Sequence, residues 1–240
     1  MKTNYNFEDY GNEITITELS NIIKEKKKYS TDRSIKNEIN RLISLNIISK
    51  INPNLFRIGK INRFDYEFDS CMSEISKEIN DLYPNIDFCL WNVSLLNFYL
   101  NHLINVNIIV LEVEKVYIDF IFDFLKDNHN ILKNPTSDEL TNYSKPGMIV
   151  LRPLLTKSPI DRKNNKIKLE KLIVDIYSDK FLNHYYEGAE KITMYEIIFN
   201  NYAINYKTLS SYAKRRNVYN DLVNYIRKNN LVKEDYFEWF

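Results

Sequence analysis

Glycine is scarce in this sequence, and its scarcity excludes two common kinds of nucleotide site. The 240 residues include only four glycines, and these are far apart. Phosphate-cradling loops need several glycines close together, because only glycine lets the backbone approach a phosphate closely. A P-loop and a dinucleotide-binding fingerprint are therefore excluded in their usual forms.

Cysteine and histidine are scarce as well. The two cysteines, Cys71 and Cys89, and the three histidines do not have the spacing of metal ligands. A secreted disulfide framework would need more cysteines, so we expect both thiols to be reduced and at least partly buried. No serine lies in a nucleophile-elbow motif. The composition therefore predicts no metal site and no other cofactor.

Long hydrophobic runs are missing too. No run reaches the roughly 18 apolar residues of a membrane-spanning helix, and the first residues lack the apolar segment of a signal peptide. We therefore expect a cytoplasmic protein without a membrane partner. The net charge of the chain is only +1, but residues 21–60 hold 10 Lys and Arg against 3 Asp and Glu. Such a local excess of basic charge favours contact with phosphate.

Within that basic segment, the sequence predicts a helix followed by a β-hairpin. Small polar residues at positions 30–32 are suited to capping a helix. The buried stripe of this helix would consist of Ile35, Ile39, Leu42 and Ile43. Its opposite face would carry Arg33, Asn37, Asn40 and Ser44, flanked by Lys36 and Arg41. After Asn46 the apolar period changes, and residues 47–51 and 55–58 flank an Asn-Pro-Asn turn, which indicates a hairpin.

A further helix is predicted at residues 15–28, so the order is helix, helix, hairpin. Lys26, Lys27 and Lys28 at its end suit either the helix dipole or contacts with phosphate. This order is typical of a winged helix-turn-helix, whose second helix enters the major groove, where Asn and Arg pair with base edges. We therefore interpret residues 1–62 as a DNA-binding domain. Two alternatives are an ordinary solvated helix face and a winged helix that contacts only protein.

Residues 63–240 predict a second domain of the α/β class. Strands are predicted at 87–91, 105–113 and 148–151, and helices at 70–82, 94–104, 117–126, 168–177, 192–202, 206–216 and 218–228. A polar loop is predicted at 156–165, and the aromatic tail should pack back on the domain or on a partner. The fold class is thus mixed α+β: a winged helix-turn-helix followed by an α/β domain that ends in helices.

Carboxylates provide the one sequence argument for an enzyme. Four of them surround the strand predicted at 105–113, namely Glu112, Glu114, Asp119 and Asp123. A metal-dependent nuclease would need convergent carboxylates, usually with a lysine two residues beyond one of them. Lys115 follows Glu114 directly, so that spacing fails. Lys171 and Asp175 are four residues apart on a predicted helix, which suits a surface ion pair. We therefore expect no enzymatic activity, with a nuclease-like enzyme as the alternative.

Several segments resemble one family of proteins. They are WNVS at 91–94, IIVLEVEKVYIDFIFDFLK at 108–126, MIVLRPLLTKSPI at 148–160, LEKLIVDIYSD at 169–179 and NYKTLSSYAKRRN at 205–217. Together with the predicted winged helix, these segments resemble antitoxins of the abortive-infection AbiEi type, and the resemblance extends from about residue 15 to residue 228. Such proteins belong to type IV toxin–antitoxin systems. The resemblance implies a repressor that binds inverted repeats at its own promoter and an antitoxin that counters a nucleotidyltransferase-like toxin.

Carried over to this chain, the family's DNA contacts fall on Thr31, Arg33, Ser34, Lys36, Asn37, Asn40 and Arg41, with Arg57 on the wing. The candidates for binding the toxin are Arg152, Lys157, Lys171, Lys214, Arg215 and Arg216, because a basic surface suits an acidic catalytic cleft. Each of these six is equally compatible with plain solvated charge. The wing turn lacks an arginine at its tip, which disfavours strong reading of the minor groove. Inverted repeats would suit a dimer on DNA.

Three interpretations therefore remain. The first is a repressor and antitoxin without enzymatic activity. The second is a nuclease-like defence enzyme that its winged helix delivers to DNA. The third is an interaction scaffold that does not bind DNA.

Overall fold

The computed structural model describes residues 5, 7, 10, 13–27, 31–143, 145–183, 185–186 and 188–240. The described residues form α-helices, short 3-10 helices and two β-sheets, so the fold is mixed α+β. The chain divides into two compact units. The first is Met1–Phe64 with Asn201–Asn205, and the second is Asp65–Asn200 with Tyr206–Phe240. None of the described helices combines the length and the hydrophobicity that a membrane crossing requires.

The first unit contains two helices and a three-stranded antiparallel sheet. Its elements are β1 (Glu13–Thr15), α1 (Ile16–Lys26), α2 (Asp32–Ser44), β2 (Ile48–Asn52) and β3 (Leu55–Ile58). The strand order is β1-β3-β2. The predicted helix, helix and hairpin are confirmed. The three-residue strand β1 was not predicted, because it is too short to show an alternating pattern.

Local sequence explains where the two helices begin and end. Thr15 and Glu18 form a reciprocal capping box at the start of α1. The Thr31 hydroxyl accepts a hydrogen bond from the Ser34 backbone N–H at the start of α2, over 3.3 Å. Asn46 follows α2 with a φ of +54°, a left-handed conformation that asparagine tolerates well. The apolar stripes of both helices pack against the sheet in a single core, which contains Ile14, Leu19, Ile23, Ile35, Ile39, Leu42, Ile48 and Phe56.

The short segment Asn201–Asn205 also belongs to the first unit. The Asn62 backbone N–H donates to the Asn201 carbonyl over 3.0 Å, and the Ala203 N–H donates to the Asn62 carbonyl over 3.3 Å. No local sequence signal distinguished this return of the chain, since it depends on pairing between residues about 140 positions apart in the sequence.

A six-stranded mixed sheet forms the centre of the second unit. Its strands are β4 (Phe88–Asn92), β5 (Ile108–Val113), β6 (Ile131–Lys133), β7 (Met148–Pro153), β8 (Ile160–Asp161) and β9 (Lys166–Ile167). The order is β6-β7-β5-β4-β9-β8, with antiparallel pairing only between β4 and β5 and between β8 and β9. The predicted polar loop at 156–165 thus contains most of a small hairpin.

The helices of the second unit are α3 (Ser70–Leu82), α4 (Ile118–Leu125), α5 (Ser137–Tyr143), α6 (Leu169–Ser178), α7 (Lys180–Asn183), α8 (Ala189–Asn201), α9 (Tyr206–Arg215) and α10 (Tyr219–Lys228). Most predicted helices are confirmed within a few residues. The prediction at 94–104 is wrong: a 3-10 helix occupies Val93–Tyr99, and no helix follows it before β5. The aromatic tail packs as predicted, with the ring of Tyr206 lying 5.3 Å from that of Tyr236 and 5.0 Å from that of Phe240.

The two faces of the sheet are covered differently. Helices α3 and α4 cover one face through an apolar cluster that includes Ile75, Ile79 and Ile121. Alternate residues of each strand point to the opposite face. There, Glu112 of β5 contacts Lys171 of α6, a polar contact inside the domain.

Candidate functional sites

Helix α2 presents an exposed polar face. The side chains of Arg33, Lys36, Asn37 and Asn40 are exposed, whereas the stripe on the other side of the helix is buried in the core. None of these four side chains makes a hydrogen bond or an ion pair with another described residue. These four of the predicted DNA-binding residues therefore lie together on one face. The face offers two charged groups and two amides to a partner.

Thr31 and Ser34, which were predicted among the DNA contacts, hold the start of the helix. The Ser34 N–H donates to the Thr31 hydroxyl, and the Ser34 hydroxyl donates to the Thr31 carbonyl over 2.8 Å. Both groups help to satisfy backbone atoms of the first turn. These bonds fix where α2 begins, and a contact of either hydroxyl with DNA stays a prediction.

Glu38 lies on the opposite side of α2 and binds two of the predicted cations. The Arg41 guanidinium donates from Nη2 to Oε1 over 2.7 Å and from Nε to Oε2 over 3.0 Å. The Lys27 ammonium donates to Oε2 over 2.8 Å, and the Tyr5 hydroxyl donates to Oε1 over 2.9 Å. Glu38 itself is only 4% exposed. Lys27 and Arg41 are thus largely neutralised by a carboxylate that the sequence did not single out.

The electrostatics of this group follow from its contacts. The hydrogen bonds from Arg41 are the main cause that lowers the pKa of Glu38 from 4.5 to about 2, and they outweigh the effect of burial. Burial is the main cause that raises the pKa of Tyr5 to about 12, and its bond to Glu38 acts in the same direction. Glu38 is therefore ionised near neutral pH and remains bound to its cations.

The remaining basic residues predicted for this site differ in position. Lys26 is exposed at the end of α1, with its ammonium 5.2 Å from the centre of the Tyr5 ring. Lys28 lies outside the described residues. Arg57 lies on β3, the middle strand of the sheet, directly opposite Glu13 of β1. Its Nη2 is 2.9 Å from Glu13 Oε1, and its side chain is 14% exposed. Cross-strand pairing thus engages this guanidinium in the sheet, and its contact with DNA at the wing stays a prediction.

In the second unit, a buried ionic network joins β5, β7, α6 and α9. The Lys171 ammonium lies 2.6 Å from Glu112 Oε2 and 2.5 Å from Asp175 Oδ2. The Tyr212 hydroxyl of α9 donates to Asp175 Oδ1 over 3.0 Å. The Arg152 Nε lies 3.1 Å from Glu112 Oε1. Lys171 and Asp175 are each about 1% exposed. Their prediction as a surface ion pair is therefore wrong, because a spacing of four residues places them on one face without saying which face is buried.

The network continues toward the surface through two arginines. Arg152 also donates to Asp179, and Arg216 Nε lies 3.7 Å from Asp175 Oδ1. Arg216 additionally donates from Nη2 to the Ser178 hydroxyl over 2.9 Å. Three carboxylates thus face three cations: Glu112, Asp175 and Asp179 with Lys171, Arg152 and Arg216. Three of the six predicted partner-binding residues consequently belong to the interior network.

The ionisation of the network depends on its own neighbours. Burial alone would lower the pKa of Lys171, but the facing carboxylates of Asp175 and Glu112 overcome it and hold that pKa well above the ordinary value. Burial also opposes ionisation of Asp175, yet Lys171 and Arg152 keep its pKa below the usual range. The charged forms therefore stabilise one another, and removal of Lys171 would leave Glu112 and Asp175 buried without their shared cation.

The other three predicted partner-binding residues are exposed. We call them the basic rim: Lys157, in the β7–β8 connection, and Lys214 and Arg215, at the end of α9. Arg215 Nη1 donates to the Lys157 carbonyl over 3.0 Å, which holds the two segments together. The Lys214 ammonium lies 4.4 Å from the centre of the Tyr219 ring. The rim thus adds exposed positive charge beside the half-buried Arg216.

The backbone at Lys157 is strained. Its φ is +59°, and among the described residues it is neither glycine nor asparagine, unlike all the others with positive φ. A side chain with a Cβ pays a free-energy cost of about 1 kcal/mol or more in this conformation. Strained residues cluster at functional positions, because function rather than stability then selects the side chain.

The carboxylates on which a nuclease would depend do not converge. Glu112 belongs to the buried network. Asp119 is exposed and pairs with Lys133 over 2.8 Å, and Asp123 pairs with Lys126 over 2.6 Å. Glu114 is exposed ahead of a 3-10 helix. Within the described part of the chain, no group of three or more His, Cys, Asp and Glu side chains could hold a metal ion.

The fold and these sites define a mixed α+β protein of two units. The first unit has an exposed polar helix face, and the second has a basic rim beside a buried ionic network. The chain belongs to a family of unknown function, DUF6577, whose sequence model matches residues 34–232. That range covers most of the second unit and the part of the first that begins at Ser34 of α2.

Comparisons with curated proteins and with solved structures add no information on function. No curated protein matches the chain. Among solved structures, a match is the crystal structure of the RV2827C protein from Mycobacterium tuberculosis, with 12% identity over 90% of this chain and 73% of that chain. Its TM-score is 0.34, a likeness too weak to support a conclusion about fold or function.

Proposed function

We propose that this protein is a DNA-binding repressor of its own operon and an antitoxin that counters a nucleotidyltransferase-like toxin in bacterial phage defence. The observation that carries the DNA-binding half is the exposed face of α2, with Arg33, Lys36, Asn37 and Asn40 unpaired among the described residues. The antitoxin half depends on the resemblance to AbiEi-type antitoxins and on the basic rim.

The arrangement of the first unit supports a winged helix-turn-helix. Two successive helices are followed by a hairpin, and β1 completes a three-stranded sheet in the order β1-β3-β2. In this interpretation α2 is the recognition helix and the turn at Pro53 and Asn54 is the tip of the wing. The 13 residues of α2 span about 20 Å, a length that suits insertion into the major groove.

The side chains on α2 suit both parts of DNA recognition. Arg33 can donate two hydrogen bonds to a guanine edge, and Asn37, one turn later, can pair bidentately with adenine. Lys36 would contact phosphate, which supports affinity without sequence preference. Glu38 tempers this attraction, since it neutralises Lys27 and Arg41 on the flank of the helix. Phosphate contacts would therefore supply a smaller share of the affinity than the number of nearby Lys and Arg residues suggests, and base contacts would supply a larger share.

A mobility-shift assay on the DNA directly upstream of the gene tests this half. We expect selective binding over an unrelated duplex, and a steep loss of affinity between 50 and 200 mM salt, in the manner of proteins that make several phosphate contacts. Arg33→Ala and Asn37→Ala should each weaken binding by about 1–3 kcal/mol if each removes one base contact. Lys228→Ala, which removes an exposed charge from α10, is the matched control and should bind as the wild type does.

Two results would reject the repressor. One is equal affinity for operator and unrelated DNA. The other is equal affinity of wild type, Arg33→Ala and Asn37→Ala. Absence of any salt-dependent binding would favour the interaction scaffold.

For the antitoxin half, the basic rim is the surface we assign to the toxin. An acidic catalytic cleft would attract Lys157, Lys214 and Arg215, and the ionic network beneath would hold α6, α9 and β7 in fixed register. Co-expression with the product of the neighbouring gene tests this assignment through growth rescue. The double variant Lys157→Asn with Arg215→Gln should lose rescue, whereas Lys228→Gln should keep it. Full rescue by the double variant would exclude the rim.

A further inference from the structure

A cavity in the second unit belongs to neither site described above. It has a volume of about 460 Å³ and lies between one face of α3 and the turn that joins β8 to β9. The residues that matter for its chemistry are Glu67, which precedes α3, Ser73, Ser76 and Lys77 from α3, Lys163 and Asn164 from the turn, and Lys166 at the start of β9. None of the basic-rim residues or α2 residues lines it.

The lining of the cavity is rich in hydrogen-bond donors and positive charge. Lys77 and Lys163 form no ion pair with another described residue. Lys166 differs, because its ammonium lies 3.0 Å from Asp65 Oδ1 and 3.8 Å from Glu67 Oε2 and is thereby neutralised. Glu67 also lines the cavity, but its carboxylate faces Lys166, so the ammonium groups of Lys77 and Lys163 are left without a carboxylate partner among the described residues and an anion between them would be attracted by both.

The walls of the cavity are fixed in place before any ligand arrives. On one side, α3 is anchored by buried Met72, Ile75 and Ile79. On the other side, Asp161 accepts hydrogen bonds from the Lys163 N–H over 3.1 Å and from Asn164 Nδ2 over 2.7 Å.

The end of the turn is anchored as well. Asn165 has a φ of +55° and is 8% exposed, and its carbonyl accepts a hydrogen bond from the Leu90 N–H over 2.8 Å. A preformed polar cavity loses little conformational entropy on binding.

We propose that this cavity binds a nucleoside phosphate, with the phosphate held by Lys77 and Lys163. Lysine ammonium and serine hydroxyl groups are suitable donors to phosphate oxygens. The volume lies in the range of small-molecule sites and exceeds what inorganic phosphate alone would fill, so the ligand carries a polar body as well. Amide groups such as that of Asn164 can hydrogen-bond to a base or a ribose. The site is independent of the proposed repressor and antitoxin activities.

Calorimetric titration of the full chain tests the proposal. The probes are AMP, ADP, ATP and GTP, with adenosine and inorganic phosphate as references, and a short oligonucleotide with and without a 5′-phosphate. We expect saturable binding of at least one nucleoside phosphate and none of adenosine. Preference for the 5′-phosphorylated oligonucleotide over every mononucleotide would support the phosphate site and assign it to a strand end.

Variants locate the binding. Lys77→Ala with Lys163→Ala should weaken it at least tenfold, whereas the matched pair Lys145→Ala with Lys228→Ala, also exposed, should leave it unchanged. Circular dichroism checks that both double variants fold. Both double variants should bind the operator as tightly as the wild type does, which would separate this site from the repressor activity. Equal affinity for adenosine and AMP, wild-type affinity in the Lys77/Lys163 variant, or no saturable binding of any probe would overturn the proposal.

Discussion

Each unit contains buried carboxylates that bind basic residues, but the two units differ in which of the predicted binding residues stay unpaired. In the first, Glu38 binds Lys27 and Arg41, and four polar side chains of α2 stay exposed beside it. In the second, three carboxylates bind Lys171, Arg152 and Arg216, and of the six predicted partner-binding residues the three of the basic rim stay exposed. Buried carboxylates thus decide which basic residues of a cluster remain unpaired, and the sequence pattern alone does not show which ones they are.

The largest effect should come from breaking the network of the second unit. Lys171→Ala leaves Glu112 and Asp175 buried without their shared cation, so the free energy of unfolding should fall by about 3–5 kcal/mol. Urea unfolding followed by tryptophan fluorescence measures this, since Trp91 is fully buried in β4. Lys168→Ala, at an exposed position three residues earlier, should change stability by less than about 0.5 kcal/mol. Equal effects of the two substitutions would mean that the network does not stabilise the unit.

Removal of the buried carboxylate charge of Glu38 in the first unit should lower the free energy of unfolding by a smaller amount. The pKa of Glu38 is about 2 in the folded protein against 4.5 ordinarily, so its contribution is complete above pH 4.5 and disappears as the pH falls toward 2. Glu38→Gln should therefore lower stability by about 2 kcal/mol near neutral pH and reduce the loss of stability between pH 4.5 and 2. Denaturant unfolding at a series of pH values measures both effects. An unchanged pH profile in the variant would contradict this role.

The same substitution should change DNA binding in the opposite direction. Glu38→Gln removes the charge that neutralises Lys27 and Arg41, so affinity for any duplex should rise at low salt. The slope of log K against log salt should become steeper by about 1. A salt titration of fluorescence anisotropy measures the slope. A flatter slope would mean that the two cations do not reach phosphate.

Arg57 and Arg33 provide a comparison within the first unit. Arg57→Ala breaks the cross-strand pair with Glu13 and should cost about 1–2 kcal/mol of stability, with little change in operator affinity of the folded protein. Arg33→Ala should lower operator affinity and leave the stability nearly unchanged, because the Arg33 side chain is exposed. Thermal unfolding and anisotropy on both variants test the pair. Loss of operator affinity in folded Arg57→Ala, with stability unchanged, would restore the contact originally expected at the wing.

The smallest expected effect is a change in stability on substitution of Lys157, the rim residue with the strained backbone. Lys157→Asn keeps the backbone carbonyl that Arg215 binds, and asparagine tolerates positive φ, so stability should rise by about 0.5–1 kcal/mol. Thermal unfolding measures the change, and the exposed substitution Lys145→Asn, in the second unit but away from the rim, provides the baseline. A loss of more than about 1 kcal/mol would show that the lysine side chain itself stabilises the loop.

Sequence periodicity predicted the elements that depend on local pattern. The exposed face of α2 and the limits of α3 follow directly from apolar spacing and capping residues. The burial and the partners of individual charged side chains could not be predicted in the same way. Lys171 and Asp175 share a helix face with the pattern of a surface pair, but α6 is buried on nearly every side, so that face is interior. Glu38 and Arg57 meet partners that lie 11 and 44 residues away, which no local pattern records.

The measurement that tests the division of labour most directly is a crossed comparison of two double variants in two assays. Arg33→Ala with Asn37→Ala changes the first unit, and Lys157→Asn with Arg215→Gln changes the second. Operator binding is measured by mobility shift, and antitoxicity by rescue of growth during expression of the neighbouring gene's product from an independent promoter. We expect the first variant to lose operator binding and keep rescue, and the second to keep operator binding and lose rescue. Loss of both activities in either variant, with the fold intact, would contradict the separation of functions between the two units.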